Sequence, residues 1–163
     1  MKGDVIVVSD FYAKICLNGH SLIEHQPLTG EEYCETCGAK LLSKCPNCGS
    51  PIKEWHYNGI AVLGTPKFDR PLYCRSCGKP YPWTEAALEA TTLMIQEDEE
   101  LSDLERQNLE NSLPDIISET PKTKVASIRI KKALLTAGEF TADALRQFVI
   151  DFGCELAKKS LGL

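Results

Sequence analysis

Four short clusters of cysteine and histidine in the first half of the chain constrain its fold more than any other feature. Seven of the eight cysteines belong to them, and three clusters share the spacing Cys-x-x-Cys-Gly. Thiolate and imidazole are the ligands that Zn²⁺ prefers, in tetrahedral four-coordinate geometry. Eight such ligands predict two structural zinc ions with complete shells. The predicted ligands are Cys16, His20, Cys34, Cys37, Cys45, Cys48, Cys74 and Cys77.

The distances between the clusters along the chain favour pairing in chain order. The first two clusters then form one site and the last two form the other. Joining the middle two clusters leaves only 7 residues between Cys37 and Cys45, too few for a comfortable hairpin. A cross-braced arrangement, in which the first cluster joins the third and the second joins the fourth, stays open.

His20 is the predicted ligand with the most competitors. It follows Cys16 by four residues, and Gly19 permits the turn between them. His25 is an alternative ligand for the first site, and His56 lies near the second site in sequence. A mononuclear iron centre also fits an all-cysteine site, although zinc is the usual occupant. The remaining cysteine, Cys154, is predicted to be a buried, inert thiol.

The metal-ligand count argues against catalysis. A catalytic zinc needs an open position for water, and eight ligands for two ions leave none. The chain also lacks the His-x-Glu pattern of zinc deaminases and a phosphate-binding glycine loop. We therefore predict a protein that is not an enzyme. The absence of a bilayer-length apolar run or a signal-peptide pattern favours a cytoplasmic location, where thiols stay reduced.

The predicted fold class is α+β, with tandem small-β zinc ribbons over residues 1–83 and an all-α region of about four helices over residues 84–163. Strands are predicted at residues 5–8, 12–15, 41–43 and 51–55, and a loop at 58–71. Between the two regions, Tyr81 and Trp83 are predicted to be packing residues rather than an exposed binding surface.

The helical region contains recognisable start and stop signals. Thr84 and Thr141 are predicted N-caps, Ser102 with Glu105 matches a capping box, and Gly138 is a predicted left-handed helix stop. A third helix is predicted to open at Thr120-Pro121. The fourth, extending to about residue 160, carries an apolar stripe of Leu145, Phe148, Val149, Phe152 and Leu156.

The knuckles Cys45-Pro46-Asn47-Cys48-Gly49 and Cys74-Arg75-Ser76-Cys77-Gly78 closely resemble those of zinc ribbons. Over its whole length the chain resembles a family of uncharacterised bacterial proteins in which a double zinc ribbon precedes a helical tail. This resemblance implies two bound metal ions and a bacterial or phage-like cytosolic setting, and it implies no activity. The segments that carry it are Cys16-Leu17-Asn18-Gly19-His20, Cys77-Gly78-Lys79-Pro80-Tyr81-Pro82-Trp83-Thr84 and Glu119-Thr120-Pro121-Lys122-Thr123-Lys124-Val125.

Charge is segregated along the chain, whose formal net charge is −5. Residues 85–119 hold 11 acidic side chains and one basic one, whereas residues 120–163 hold 8 basic and 4 acidic side chains. The two blocks are expected either to be solvated helix faces or to attract each other, within one chain or between chains.

These features favour a non-enzymatic interaction protein, a scaffold or adaptor, over two other classes. The helical region is predicted to self-associate or to bind a protein partner. The apolar stripe of the fourth helix is either the candidate surface or the core of a helical bundle. Nucleic-acid binding is the alternative, less favoured because the chain is acidic overall. Membrane association is not expected, because the polar face of the fourth helix carries Asp143, Asp151 and Glu155. Candidate residues for nucleic-acid contact are Lys40, Lys44, Lys53, Lys67, Arg70, Arg75 and Lys79 beside Trp55, Tyr57 and Tyr73, and also Lys122, Lys124, Arg129, Lys131 and Lys132.

Overall fold

A small antiparallel sheet organises the first half of the chain. The computed structural model describes residues 10–24, 30, 32–52, 55–56 and 69–163, and the chain divides into two compact units, residues 1–84 and 85–163. The longest strand, β1, pairs with each of the other three strands, which are β2, β3 and β4. The strands are β1 (Asp10–Cys16), β2 (Ser21–Glu24), β3 (Leu41–Leu42) and β4 (Trp55–His56).

The α+β class is confirmed, and the predicted strands around residues 12–15 and 41–43 correspond to β1 and β3. β2 was not predicted. Of the predicted strand at 51–55, Trp55 belongs to β4 and Pro51 makes an isolated bridge to Lys44, while residues 53–54 lie outside the described residues. The predicted strand at 5–8 and most of the predicted loop at 58–71 lie outside the described residues.

The buried clusters described in the first unit combine cysteines with a few apolar side chains. One buried cluster joins Ile15, Ile52, Tyr81 and Trp83 to two of the predicted ligands, and a second consists of Cys16, Cys34 and Leu41. Tyr81 and Trp83 stack with ring centroids 4.5 Å apart, and the Trp83 indole N–H donates to the Pro71 carbonyl oxygen at 2.8 Å. Their predicted packing role is confirmed.

Residues 82–163 form six helices where about four were predicted. One of the additional helices is short and has Pro114 in its first turn, where proline is tolerated. The helices are α1 (Pro82–Gln96), α2 (Asp103–Glu110), α3 (Leu113–Ile117), α4 (Thr123–Thr136), α5 (Glu139–Phe152) and α6 (Glu155–Leu161).

The predicted fourth helix is interrupted at Gly153, which separates α5 from α6. The Cys154 N–H donates to the Ile116 carbonyl oxygen of α3 at 2.9 Å, instead of to the carbonyl four residues earlier. A Cβ atom at position 153 would also clash with the Val149 carbonyl oxygen. The prediction of a buried thiol on one continuous helix was wrong, because Cys154 is half-buried and precedes α6.

Tertiary hydrogen bonds also change the predicted helix ends. Thr84 is not an N-cap, since α1 begins at Pro82 and the Thr84 hydroxyl donates to the Leu72 carbonyl oxygen at 2.8 Å. Gly138 has φ of −57° and precedes α5, so it is not a left-handed stop, and Thr141 lies inside α5. Among these signals, the capping box of Ser102 and Glu105 is confirmed.

The second unit is a helical bundle around α4, which contacts α2, α3, α5 and α6. The apolar stripe predicted on the fourth helix belongs largely to this core. Leu145, Phe148 and Val149 are buried, and the Phe148 and Phe152 rings stack at 5.6 Å. Of the two interpretations of the stripe, burial therefore favours the core of a helical bundle over an exposed binding surface. Among the described residues, no helix combines the length and the apolar character needed to cross a membrane.

Candidate metal centres

The first candidate centre lies where β1 and β2 meet the second cysteine cluster. Cys16 ends β1, His20 precedes β2, and Cys34 and Cys37 come from the following knuckle. The His20 Nδ1 atom lies 3.5, 3.3 and 3.7 Å from the sulfur atoms of Cys16, Cys37 and Cys34, and the Cys16 and Cys37 sulfurs are 3.7 Å apart. The four donor atoms thus surround one point.

The second candidate centre contains only cysteines and is built from two knuckles far apart in sequence. The Cys45 and Cys77 sulfurs are 3.9 Å apart, and the Cys48 and Cys74 sulfurs are 3.6 Å apart. In each of the two centres all four donor atoms lie within 4.8 Å of one another. A disulfide would instead bring two sulfurs to about 2.05 Å. All eight cysteines of the chain are free thiols.

The separations fit a tetrahedral ion. With Zn–S bonds of about 2.3 Å and Zn–N bonds of about 2.0 Å, tetrahedral geometry places two sulfurs about 3.8 Å apart and a sulfur and a nitrogen about 3.5 Å apart. The sulfur pairs given above span 3.6–3.9 Å, and the sulfur–nitrogen pairs span 3.3–3.7 Å. Both centres can therefore hold a four-coordinate metal ion.

A repeated backbone turn produces this geometry. In the last three clusters the glycine N–H donates to the carbonyl oxygen of the first cysteine, four residues earlier, at 2.7–2.9 Å. These glycines, Gly38, Gly49 and Gly78, have φ between 69° and 74°, a region that side chains with a Cβ atom rarely occupy. An isolated bridge closes each turn, Tyr33 to Lys40, Lys44 to Pro51 and Tyr73 to Pro80.

The first cluster is a version of the same turn that is shorter by one residue. The Gly19 N–H donates to the Cys16 carbonyl oxygen at 2.8 Å, only three residues earlier, and Gly19 has φ of 88°. The next residue, His20, reaches the centre with its longer side chain. Arg70 approaches this turn closely, because its guanidinium donates to the Gly19 carbonyl oxygen at 2.9 Å. A Cβ atom at position 19 would clash with that guanidinium.

Backbone N–H groups favour the thiolate form at particular cysteines. Hydrogen bonds from the Cys77 and Ser76 N–H groups lower the pKa of Cys74 to about 6. The Ala39 N–H lowers the pKa of Cys37, also to about 6. Burial has the opposite effect on Cys45, whose pKa it raises to about 11. The thiolate, not the thiol, is the form that binds metal. A metal ion that binds at Cys45 therefore has to displace the proton of its thiol.

Two asparagines support the centres, a role that was not predicted from the sequence. The Asn18 side-chain amide donates to the Cys37 sulfur at 3.4 Å, and the Asn47 amide donates to the Cys77 sulfur at 3.4 Å. Each asparagine lies two residues after the first cysteine of its centre and reaches the last cysteine of that centre. The signal was present in the sequence, since Cys-x-Asn occurs in the first and third clusters alone among the four.

The structure thus brings all eight predicted ligands together in two groups of four, paired in chain order. The cross-braced alternative is wrong, because Cys16 and His20 meet Cys34 and Cys37 rather than the third cluster. His25 lies outside the described residues, and His56 belongs to β4.

The candidate nucleic-acid residues are divided between the two units. Lys40, Lys44, Arg75 and Lys79 are exposed on the knuckles, whereas Lys53, Tyr57 and Lys67 lie outside the described residues. On α4, Lys124, Lys131 and Lys132 are exposed, while the Arg129 guanidinium donates to the Ser112 hydroxyl at 3.1 Å.

The chain belongs to a family of uncharacterized proteins conserved in bacteria (DUF2321), whose model matches residues 10–161. The match includes both candidate metal centres and all six helices. No curated protein and no solved structure matches the chain.

Proposed function

We propose that this protein is a non-enzymatic interaction protein, a scaffold or adaptor, in which two structural Zn²⁺ ions hold the first unit and the helical unit binds protein. The observation that carries the proposal is the closed geometry of both centres. Four donor atoms at tetrahedral separations complete the shell of a zinc ion and leave no position for a substrate. A bacterial cytoplasm is the proposed setting, because its reducing conditions preserve the thiolates.

The composition of the first unit supports a structural role for the metal. Ligand cysteines are members of both buried clusters, so the ions would connect the same side chains that form the core. In small zinc-bound peptides, metal binding contributes about 10–16 kcal/mol of apparent free energy at neutral pH. The ions would therefore provide much of the folding free energy of this unit.

The helical unit supports the binding role. Exposed apolar patches on soluble proteins often mark interaction sites. Several large apolar side chains of this unit are more than half exposed, although others are fully buried. They are Leu93, Leu104, Val125, Ile128, Leu135 and Phe140.

Cobalt substitution tests whether the centres are closed. Protein purified without added metal should carry two zinc ions per chain in native mass spectrometry. After replacement by Co²⁺, whose visible spectrum reports coordination, adding azide should leave the absorption unchanged. An azide-dependent spectral shift would reveal an open coordination position, and fewer than two ions per chain would mean an incomplete site. Either result would overturn the structural-metal proposal.

Site-specific crosslinking tests the binding role. A photo-crosslinking amino acid at position 140 should give a discrete protein adduct in bacterial cells, because Phe140 is 85% exposed. The same amino acid at Lys159, an exposed position on α6, serves as the control. Adducts at neither position, or equal adducts at both, would contradict a specific binding surface on the helical unit.

Nucleic-acid binding is the second candidate, favoured by exposed Tyr33 and Tyr73 next to basic residues of the knuckles. Tyr33 is bridged to Lys40, and Tyr73 precedes Arg75 by two residues. Exposed aromatic rings beside cations can stack on unpaired bases. Binding to single-stranded oligonucleotides should then weaken steeply with salt and be lost in the double variant Lys40→Ala/Arg75→Ala. Salt-independent binding, or none, would dismiss this candidate.

A further inference from the structure

An acidic groove in the helical unit has an apolar floor and a volume of about 810 Å³. The floor is formed by Leu93 and Met94 of α1 and by Phe140 of α5, and all three side chains are exposed. Carboxylates surround it, and they include Glu97, Glu99 and Glu139. A ligand that fits this groove needs both an apolar face and positive charge.

The same unit carries a surface with those properties, the basic face of α4. Lys124, Ile128, Lys131 and Leu135 follow i, i+4, i+7, i+11 spacing and so lie on one side of the helix. All four are exposed, with Leu135 84% exposed, even though the opposite side of α4 is buried in the bundle. This helix face combines an apolar ridge with positive charge.

The acidic groove and the basic face do not neutralise each other within the chain. Residues 85–163 are all described, and the ion pairs among them join Arg106 to Asp103, Arg146 to Asp143 and Lys158 to Glu155. Each of these pairs lies within one helix and involves neither surface. Both surfaces are thus available to another molecule.

We infer that the acidic groove binds the basic face of α4 of a second copy of this chain. The inference rests on the proposed binding role of the helical unit and names its partner. Leu135 of the basic face and Phe140 of the groove lie on either side of the α4–α5 turn, and among the described residues they are the most exposed large apolar side chains. The two surfaces are therefore adjacent in the sequence. A two-fold axis then satisfies both contacts in one closed dimer.

Charge reversal on each surface tests this pairing through the oligomeric state of the full-length, metal-loaded protein. The groove variant is Glu97→Lys/Glu99→Lys, and the helix variant is Lys124→Glu/Lys131→Glu. We expect the wild type to be a dimer by analytical ultracentrifugation in low salt and to dissociate as salt screens the charges. Like charges facing across the contact should raise the dimer dissociation constant at least ~100-fold in either variant.

Mixing the two variants gives the decisive result. In a mixed dimer, the basic groove of the groove variant faces the acidic helix of the helix variant. The unchanged acidic groove of the helix variant faces the unchanged basic helix of the groove variant. Both contacts then join opposite charges, so a heterodimer should form. Glu119→Lys and Lys159→Glu, exposed positions outside both surfaces, should dimerise like the wild type. Circular dichroism and zinc content of every sample verify that the variants are folded.

Three outcomes would overturn the inference. They are a monomeric wild type at ~100 µM in low salt, unchanged dimers in both variants, or no heterodimer on mixing. A monomer that carries two zinc ions and still crosslinks another protein through position 140 would refute the dimer and leave the proposed function intact. Loss of the zinc ions or of any adduct at position 140 would refute the proposed function itself.

Discussion

In residues 1–84 the described buried clusters consist partly of candidate metal-ligand cysteines, whereas in residues 85–163 most of the buried side chains are apolar residues of packed helices. Two of the described strands of the first unit, β3 and β4, have only two residues each. Such strands bury too little surface to be stable without further support. The helical unit instead distributes its stability over many side chains.

This difference predicts how each unit responds to a single change. Removing one donor from a four-donor centre should affect every element that the centre joins, because the donors come from parts of the chain up to 32 residues apart. Removing one side chain from the bundle leaves the remaining contacts in place. The following predictions test that contrast, from the largest expected effect to the smallest.

Cys45→Ser should abolish zinc binding at the second centre and unfold the first unit, because metal binding in such sites is worth about 10–16 kcal/mol. The helical signal in circular dichroism should persist, while amide resonances of residues 10–84 lose their dispersion in NMR spectra. Cys154→Ser is the matched control, since this half-buried cysteine belongs to neither centre. Cooperative loss of the helices together with the metal would contradict the independence of the two units.

Ile130→Ala should destabilise the helical unit by about 2–5 kcal/mol, because it leaves a cavity on the buried side of α4. Urea unfolding followed by helical circular dichroism measures the change, and zinc content should remain at two ions. Val125→Ala on the same helix, outside the basic face, is the control, expected to change stability by less than about 0.5 kcal/mol because Val125 is 51% exposed. Equal effects of the two substitutions would contradict the assigned burial.

Asp98→Ala should destabilise the helical unit by about 1–3 kcal/mol, because it leaves buried N–H groups without an acceptor. The Asp98 carboxylate accepts from the backbone N–H groups of Glu100, Leu101 and Gly138 at 2.9–3.1 Å, which joins the α1–α2 loop to the start of α5. Glu119→Ala, an exposed carboxylate outside the acidic groove, is the control.

The same carboxylate should make stability depend on pH. Burial alone would raise the Asp98 pKa, but hydrogen bonds from Thr141, Gly138, Glu100 and Leu101 outweigh it and lower the pKa below its usual value. A lowered pKa in the folded state contributes stability above the unfolded-state pKa of about 4, and the contribution fades as pH falls through the folded-state value. Asp98→Asn should remove this part of the acid destabilisation in urea titrations. An identical pH profile in the variant would contradict the assignment.

Asn47→Ala should have the smallest effect, a zinc affinity about 10-fold lower at the second centre with the fold unchanged, because outer-shell partners tune ligand strength. Competition with a chromophoric chelator measures the affinity. Ser76→Ala, at the corresponding position of the last knuckle, keeps its backbone N–H bond to the Cys74 sulfur and should bind zinc like the wild type. If both variants bind equally, the Asn47 amide has no role in metal binding.

Much of the candidate site was predictable because its determinants are local. A Cys-x-x-Cys-Gly turn needs only a left-handed glycine and two sulfurs on one side, and both properties are visible in five residues. The pairing in chain order also followed from loop length. The roles of Asn18 and Asn47 were missed, because each amide reaches a cysteine 19 or 30 residues away.

The helical unit shows where local signals fail. The capping box of Ser102 closes within three residues and was predicted correctly. The break between α5 and α6 depends on the Ile116 carbonyl, which is distant in sequence from Cys154. Thr84 has the composition of a cap, yet its hydroxyl bonds to Leu72 across the last knuckle.

The sequence by itself determined the α+β class, the eight candidate ligands and the segregation of charge, because these depend on residue type and short-range spacing. Only the tertiary structure decided which apolar and charged side chains remain on the surface. Packing placed Phe148 and Val149 inside the bundle and left Leu135 and Phe140 outside. Burial is a property of all neighbouring elements together, so an amphipathic pattern on one helix cannot determine which apolar residues face solvent.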